Sequence, residues 1–255
     1  MENYTIDKVM ELANDLKFKS LEESIINDLE LSVKEGWTTE TLLYKIFSNE
    51  KIRKEKLLKK SLVTRAHFPQ IKYLENLERK ELPENMRIVL PQLETLDFIK
   101  EKRNIVLTGN PGTGKTHIAT GLGVKACKQG YKVLFTTVHE LLTKIHESRS
   151  ARTLRTLDCN FKKYDLVICD EFGYVQFSKE NADLLFNLLS LRDEMKSTII
   201  TTNLAFEKWG SIFGDPVLAG AMIDRITHNA YLINMNGDSY RTKKTLIFNK
   251  KIIKK

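Results

Sequence analysis

The chain has 255 residues, with 41 Lys+Arg against 33 Asp+Glu, a formal charge of +8. Hydrophobic residues make up 42% and charged residues 29%, and no apolar run approaches the roughly 18 residues needed to span a bilayer, so a membrane partner is not expected. The basic balance favours a polyanionic partner, nucleic acid first among them, without identifying one.

The length suits one sizeable α/β core with a smaller appendage. The opening Met1 to Glu11, with Glu2, Asp7 and Glu11, is acidic and polar, and a signal peptide is not expected there. Cys127, Cys159 and Cys169 match neither a disulfide framework nor a zinc spacing, and are expected to be core thiols of a cytoplasmic protein. From Ile6 to about Arg65 there is no proline and only Gly36, and apolar residues recur at helical spacing, as in Leu21, Ile25 and Leu29. Residues 1–66 are therefore expected to form a helical protein-interaction domain, broken at Gly36-Trp37, with Thr38 or Thr39 as the N-cap of a long second part. His67-Phe68-Pro69 marks its end, and residues 67–100 are expected to be a linker leading into an ATPase domain over residues 101–255.

In that last region, short β-rich runs alternate with longer helical ones: 104–108, 132–136, 165–169, 198–202 and 231–235. The pattern predicts an α/β fold, a parallel sheet sandwiched by helices. Leu166-Val167-Ile168-Cys169 is apolar at successive positions, as befits a strand covered on both faces.

Gly109-Asn110-Pro111-Gly112-Thr113-Gly114-Lys115-Thr116 fits G-x-x-x-x-G-K-[ST], after a strand and before a helix that continues through His117 to Lys128. The glycines let backbone N–H groups wrap phosphates, and the helix N-terminus adds its positive dipole end. Residues 109–117 are thus expected to bind ATP, with Lys115 on the β and γ phosphates and the Thr116 hydroxyl on Mg2+. Hydrolysis needs two further functions. Asp170, ending the buried strand, is expected to help hold Mg2+, and Glu171 to polarise the attacking water. Asn203 ends the next strand, either as a sensor of the γ-phosphate or simply as a strand terminator.

Between Arg149 and Lys163 a single helix advancing about 100° per residue would gather Arg149, Arg152, Arg155, Lys162 and Lys163 on one side and Leu154, Leu157 and Phe161 on the other. Such a basic stripe suits successive phosphates of DNA, and equally suits a solvated helix face.

These pieces together resemble the IstB family of transposition ATPases, relatives of the DnaC helicase loaders and the DnaA initiator within the AAA+ class. The resemblance is carried by Arg103-Asn104-Ile105-Val106-Leu107-Thr108 before the phosphate loop, Cys169-Asp170-Glu171-Phe172-Gly173, and Ile199-Ile200-Thr201-Thr202-Asn203-Leu204. Trp209-Gly210-Ser211-Ile212-Phe213-Gly214-Asp215-Pro216, Asp224-Arg225 and Gly237-Asp238-Ser239-Tyr240-Arg241 extend it almost to the end of the chain. It implies an oligomeric, ATP-dependent DNA-binding factor that works with a transposase of the same insertion element. It also implies that Asn203 is the sensor, that Arg225 is an arginine finger reaching a neighbour's nucleotide site, with Arg241 as the competing arginine, and that the basic stripe lines a DNA path. Little chain follows Arg241, so the helical lid of wider AAA+ proteins is expected to be reduced or absent. A helicase loader, identical in ATP chemistry, is the alternative.

Overall fold

The computed structural model describes residues 5–173, 177–240 and 242, and the chain divides into two units, 1–61 and 62–255. In the first, α1 (Ile6–Asp15) and α2 (Lys19–Glu35) precede α3 (Thr39–Arg65), which continues into the second unit. Gly36 at φ 65 ends α2, and the Thr38 hydroxyl accepts the Thr41 N–H at 3.3 Å to open α3. Ala13 and Ile25 are the buried apolar side chains among the described residues of this unit. Glu50 is buried as well, its carboxylate held well below the usual range by the Arg53 guanidinium and by Ser20.

The second unit begins within α3, whose Leu62 and Ala66 lie in its core, and the Ala66 carbonyl accepts the Phe135 N–H at 2.7 Å. Residues 67–100, expected as a linker, are built into this core. They form two 3-10 turns, Leu74–Asn76 and Arg79–Glu81, then α4 (Glu84–Glu94) and α5 (Asp97–Lys100). Leu74, Leu82, Met86, Leu90, Leu93 and Leu96 are buried there, an apolar surface too large to leave in water.

The sheet comprises β1 (Asn104–Thr108), β2 (Val133–Thr137), β3 (Leu166–Phe172), β4 (Ser197–Thr202) and β5 (Ala230–Asn234). All pairings are parallel, in the order β2-β3-β4-β1-β5. The further helices among the described residues are α6 (Lys115–Lys128), α7 (Val138–Ser150), α8 (Leu154–Lys162), α9 (Lys179–Ser190), α10 (Trp209–Phe213) and α11 (Pro216–Thr227). Two apolar clusters share the sheet: Ile105, Leu107, Ile168 and Ile199 pack with α4 and α6, while Val106, Val167, Cys169 and Ile200 pack with residues of α7, α9, α10 and α11. That division follows from the period of two along each strand. Successive apolar residues in β3 are thus buried on both faces, as their pattern predicts. Burial pushes the Cys127 and Cys169 thiols up to about 12, whereas Cys159 is exposed, because α8 turns it away from the side carrying Phe161.

Candidate functional site

β1 delivers the chain into the phosphate loop at the carboxyl edge of the sheet. Gly109 adopts φ 145, and a Cβ there would lie 2.6 Å from the Met235 carbonyl carbon, so glycine is required where the loop crosses the end of β5. Asn236 Oδ1 accepts the Asn110 N–H at 3.0 Å, and the Tyr240 N–H donates to the Gly112 carbonyl at 3.0 Å. The segment after β5 thus braces the loop from outside. Gly114 leads directly into α6, whose first-turn amides and dipole favour an anion. Lys115 is buried, with Nζ donating to the Gly109 carbonyl at 2.6 Å and the Asn110 carbonyl at 2.8 Å.

Asp170, also buried, accepts from the Thr116 hydroxyl at 3.1 Å to each carboxylate oxygen, and from the Thr201 hydroxyl. A hydroxyl and a carboxylate side by side form the hard oxygen set that magnesium prefers. Glu171 is exposed and adopts φ 61 in the left-handed region. Asn203 Oδ1 is buried without a hydrogen-bond partner at the end of β4. An orphaned buried amide costs free energy, and its place beside the loop fits a ligand's phosphate or its water.

Lys115, Thr116, Glu171, Thr201 and Asn203 line a cleft of about 690 Å³ together with Leu77, Leu82, Pro83 and Tyr240, a size and mixture suited to a nucleotide, and Asp170 lies behind Thr116 and Thr201. His117 also lines it, with Nε2 3.1 Å from the Tyr73 carbonyl oxygen. The Tyr240 hydroxyl donates to Glu78 at 2.8 Å, joining the segment after β5 to the segment before β1. The apolar wall at Leu77, Leu82 and Pro83 was missed in the sequence because that stretch read as a linker. Tyr240 was within reach through the Ser-Tyr-Arg element, and Arg241 itself lies outside the described residues.

The basic stripe does not lie on one helix. α7 ends at Ser150 and α8 begins at Leu154, with Arg152 between them at φ 56. Thr153 N–H donates to Ser148 O at 2.7 Å and Arg152 N–H to Arg149 O at 3.0 Å, a Schellman closure with arginine where glycine is usual. Leu154, Leu157 and Phe161 do pack toward the core. Arg149 is paired with Glu180 and Lys163 with the Asn160 amide, while Arg152, Arg155 and Lys162 are exposed.

Arg225 is on α11, whose end leads to the start of β5, at the edge of the sheet opposite the phosphate loop. Its Nε lies 3.3 Å from Asp193, its guanidinium 4.8 Å from the centre of the Phe186 ring, and it donates to Ser190. At the same edge, sequence reasoning overlooked Arg192, which is 1% exposed. Its guanidinium donates to the carbonyls of Phe161, Tyr164 and Ser197 at 2.8–3.0 Å and to the Thr198 hydroxyl at 3.3 Å. Burial lowers its pKa to about 10.

Comparison with solved structures identifies the fold as a P-loop AAA+ domain. AMPPCP-bound DnaA from Aquifex aeolicus superposes with a TM-score of 0.56 at 20% identity, over 72% of this chain and 55% of that one. The DnaC helicase loader gives 0.51 at 19% identity, over 60% of this chain and 91% of that one. At these identities the likeness is one of fold alone, and the chain spans about half the length of the DnaA chain. An ATP-binding protein of insertion sequence IS232 from Bacillus thuringiensis subsp. berliner is 32% identical over 228 residues, 89% of this chain and 91% of that protein. Its counterpart in IS21 of Pseudomonas aeruginosa is 38% identical over 183 residues, 72% of this chain and 69% of that protein. With the family model described as IstB-like ATP binding protein matching residues 11–247, this chain belongs to that family.

Proposed function

We propose that this protein is a magnesium-dependent ATPase that assembles on DNA as an ATP-dependent oligomer and recruits or regulates the transposase of its insertion element. The observation that carries the catalytic part is the joining of Thr116 to Asp170 beside Glu171, in a cleft already walled by the phosphate loop. Lys115 and the first amides of α6 bind the phosphates of ATP. Thr116 and Asp170 would hold magnesium, which when bound would supply charge neutralisation for the phosphates. Glu171 accepts a proton from the water whose oxygen attacks the γ-phosphorus, ADP leaves, and the Asn203 amide orients that water or the phosphate.

The partners rest on kinship. The relatives are proteins of insertion sequences, which supports a transposase as partner and a cytoplasmic setting. DNA contact falls to Arg152, Arg155 and Lys162, with Arg149 and Lys163 joining once released from their present partners. Residues 1–66 supply the protein-interaction module, and ATP hydrolysis resets the assembly. The likeness to the DnaC loader is one of fold and supports helicase loading less directly than the insertion-sequence kinship supports transposition.

The test is Glu171→Gln. The amide keeps the shape of the side chain but accepts no proton, so E171Q should bind ATP within about threefold of the wild type while turnover falls by roughly 100-fold or more. Chelation of magnesium should stop wild-type turnover. Equal steady-state rates for E171Q and wild type would end the assignment.

A further inference from the structure

Asp170 and Glu171 are neighbours in β3, and in a regular strand neighbouring side chains leave opposite faces of the sheet. Two carboxylates meant for one reaction centre cannot both be used that way. The pairing of β3 with β4 contains the remedy. Cys169 is opposite Ile200, but the next matched pair is Phe172 with Thr202, so two residues of β3, Asp170 and Glu171, stand against the single residue Thr201. This is a β-bulge, a feature that re-aims side chains, and its second residue takes the left-handed φ of 61.

A bulge removes a residue from the ladder and leaves its polar groups in need of partners. The Glu171 N–H donates to the Thr201 hydroxyl oxygen at 3.2 Å. That same hydroxyl donates its proton to Asp170 Oδ1. A threonine hydroxyl has one proton and lone pairs to spare, and an ionised carboxylate only accepts, so the direction of both bonds is set. Thr201 is 2% exposed and Asp170 5%, so water does not substitute for either bond.

We infer that Thr201 is a positioning residue for ATP hydrolysis: its hydroxyl closes the bulge, holding the Asp170 carboxylate toward Thr116 and Glu171 in the backbone conformation that presents it to the cleft. This inference rests on the proposed roles of Asp170 and Glu171. Thr201 is in the wall of the cleft, but in this scheme it acts through its two neighbours and not on phosphate or water. The phosphate-binding groups, Lys115 and the amides of α6, lie on other elements and do not depend on it.

The experiment compares Thr201→Val, Thr201→Ala and Thr201→Ser in the full chain, with Glu171→Gln alongside. The valine and alanine variants should bind ATP in the absence of magnesium within about threefold of the wild type, yet show a fall in kcat of roughly 30- to 100-fold. Their half-saturating magnesium concentration for nucleotide binding should rise by about tenfold or more, as for the loss of a group that orients a metal ligand. Hydrogen exchange at the Glu171 amide, read without nucleotide or metal, should speed up in both. Serine retains the hydroxyl and should restore most of the rate and the slow exchange. Wild-type kcat and magnesium dependence in T201V or T201A, or a T201S as impaired as they are, would overturn the inference. Failure of both T201V and T201A to fold would assign Thr201 to stability and overturn it too. The E171Q control separates the two failures: E171Q inactive beside a fully active T201V sinks the role of Thr201 alone, whereas E171Q at the wild-type rate sinks the reading beneath it.

Discussion

Lys115 and Arg192 are buried cations on opposite edges of one sheet, and they differ in what their surroundings leave undone. At the carboxyl edge, Lys115 sits in the wall of a 690 Å³ cleft beside an orphaned Asn203 amide oxygen and an exposed glutamate. At the amino edge, Arg192 spends its donors on three carbonyls and a hydroxyl, two of those carbonyls belonging to Phe161 and Tyr164 at the end of α8. Asn104 nearby is half-buried and its amide is also engaged, accepting from Thr198 N–H at 2.9 Å and donating to the Ile226 carbonyl at 3.1 Å. Burial of charge does not by itself mark a functional site. The mark is burial together with polar groups that the protein leaves for something else to satisfy.

Methionine in place of each cation should therefore give opposite results, the largest effects expected here. K115M should abolish detectable ATP binding while shifting Tm by no more than roughly 3 °C if the lysine serves the phosphates as proposed. R192M should retain ATP binding but lose about 2–4 kcal/mol of stability, because four acceptors lose their donor while relief of the cation's desolvation offsets only part of that. For a domain of this size that is a fall in Tm on the order of 5–10 °C. Thermal melts with and without nucleotide measure both, and a K115M that melts as early as R192M would erase the contrast between the edges.

The next effect concerns the basic segment that Arg192 anchors at Phe161. Reversing Arg152 and Arg155 to glutamate should flatten the slope of log affinity for DNA against log salt by roughly 0.7 to 0.9 for each phosphate that is no longer neutralised. Reversing Arg149 should change it less, because Glu180 already engages that guanidinium. Filter binding across a salt series is the measurement, and an unchanged slope in the double variant would return these arginines to a solvated surface.

How far the sequence revealed these edges differs with the kind of information each requires. The phosphate loop and Asp170-Glu171 could be picked out as candidates because chemistry restricts residue type and spacing along the chain, Asn203 gained its proposed role only from the family resemblance, and the five strands fall within a few residues of their apolar runs. The break at Arg152 was not legible, since no glycine or proline marks it. Residues 67–100 read as a linker because their leucines gain meaning only when α6 comes near: a Cβ on Gly121 would lie 2.6 Å from Leu74 Cδ2. Arg192 was silent because its partners are backbone carbonyls, which no residue type announces. Thr201 looked like an ordinary β-former, and only the register shift between β3 and β4 with the two hydrogen bonds of its hydroxyl sets it apart.

Arg225 tests the comparison most finely, for it lies on the sealed edge yet is 37% exposed, and its loss should disturb the folded chain least. Its ion pair with Asp193, itself 31% exposed, is screened by water and is worth less than about 1 kcal/mol, so it is readily given up for a phosphate. Arg225 is on the edge opposite Lys115 and does not serve the cleft of its own chain, but its half-buried guanidinium can leave Asp193 and Ser190 to meet a neighbour's. The need is plain: Lys115 is the cation of the phosphate loop, and charge builds on the phosphate oxygens and the leaving group as the γ-phosphate departs. If Arg225 fills that need in trans, R225A should melt within roughly 4 °C of the wild type and bind ATP normally as a monomer, yet fail to turn it over when assembled on DNA. Mixing R225A with K115M subunits should restore part of the rate, because some interfaces then pair an intact phosphate loop with an intact arginine. The decisive curve is ATPase rate against mixing ratio on saturating DNA. No recovery at any ratio, with assembly verified, would confine Arg225 to its bond with Asp193, and full activity of R225A alone would remove it from the reaction.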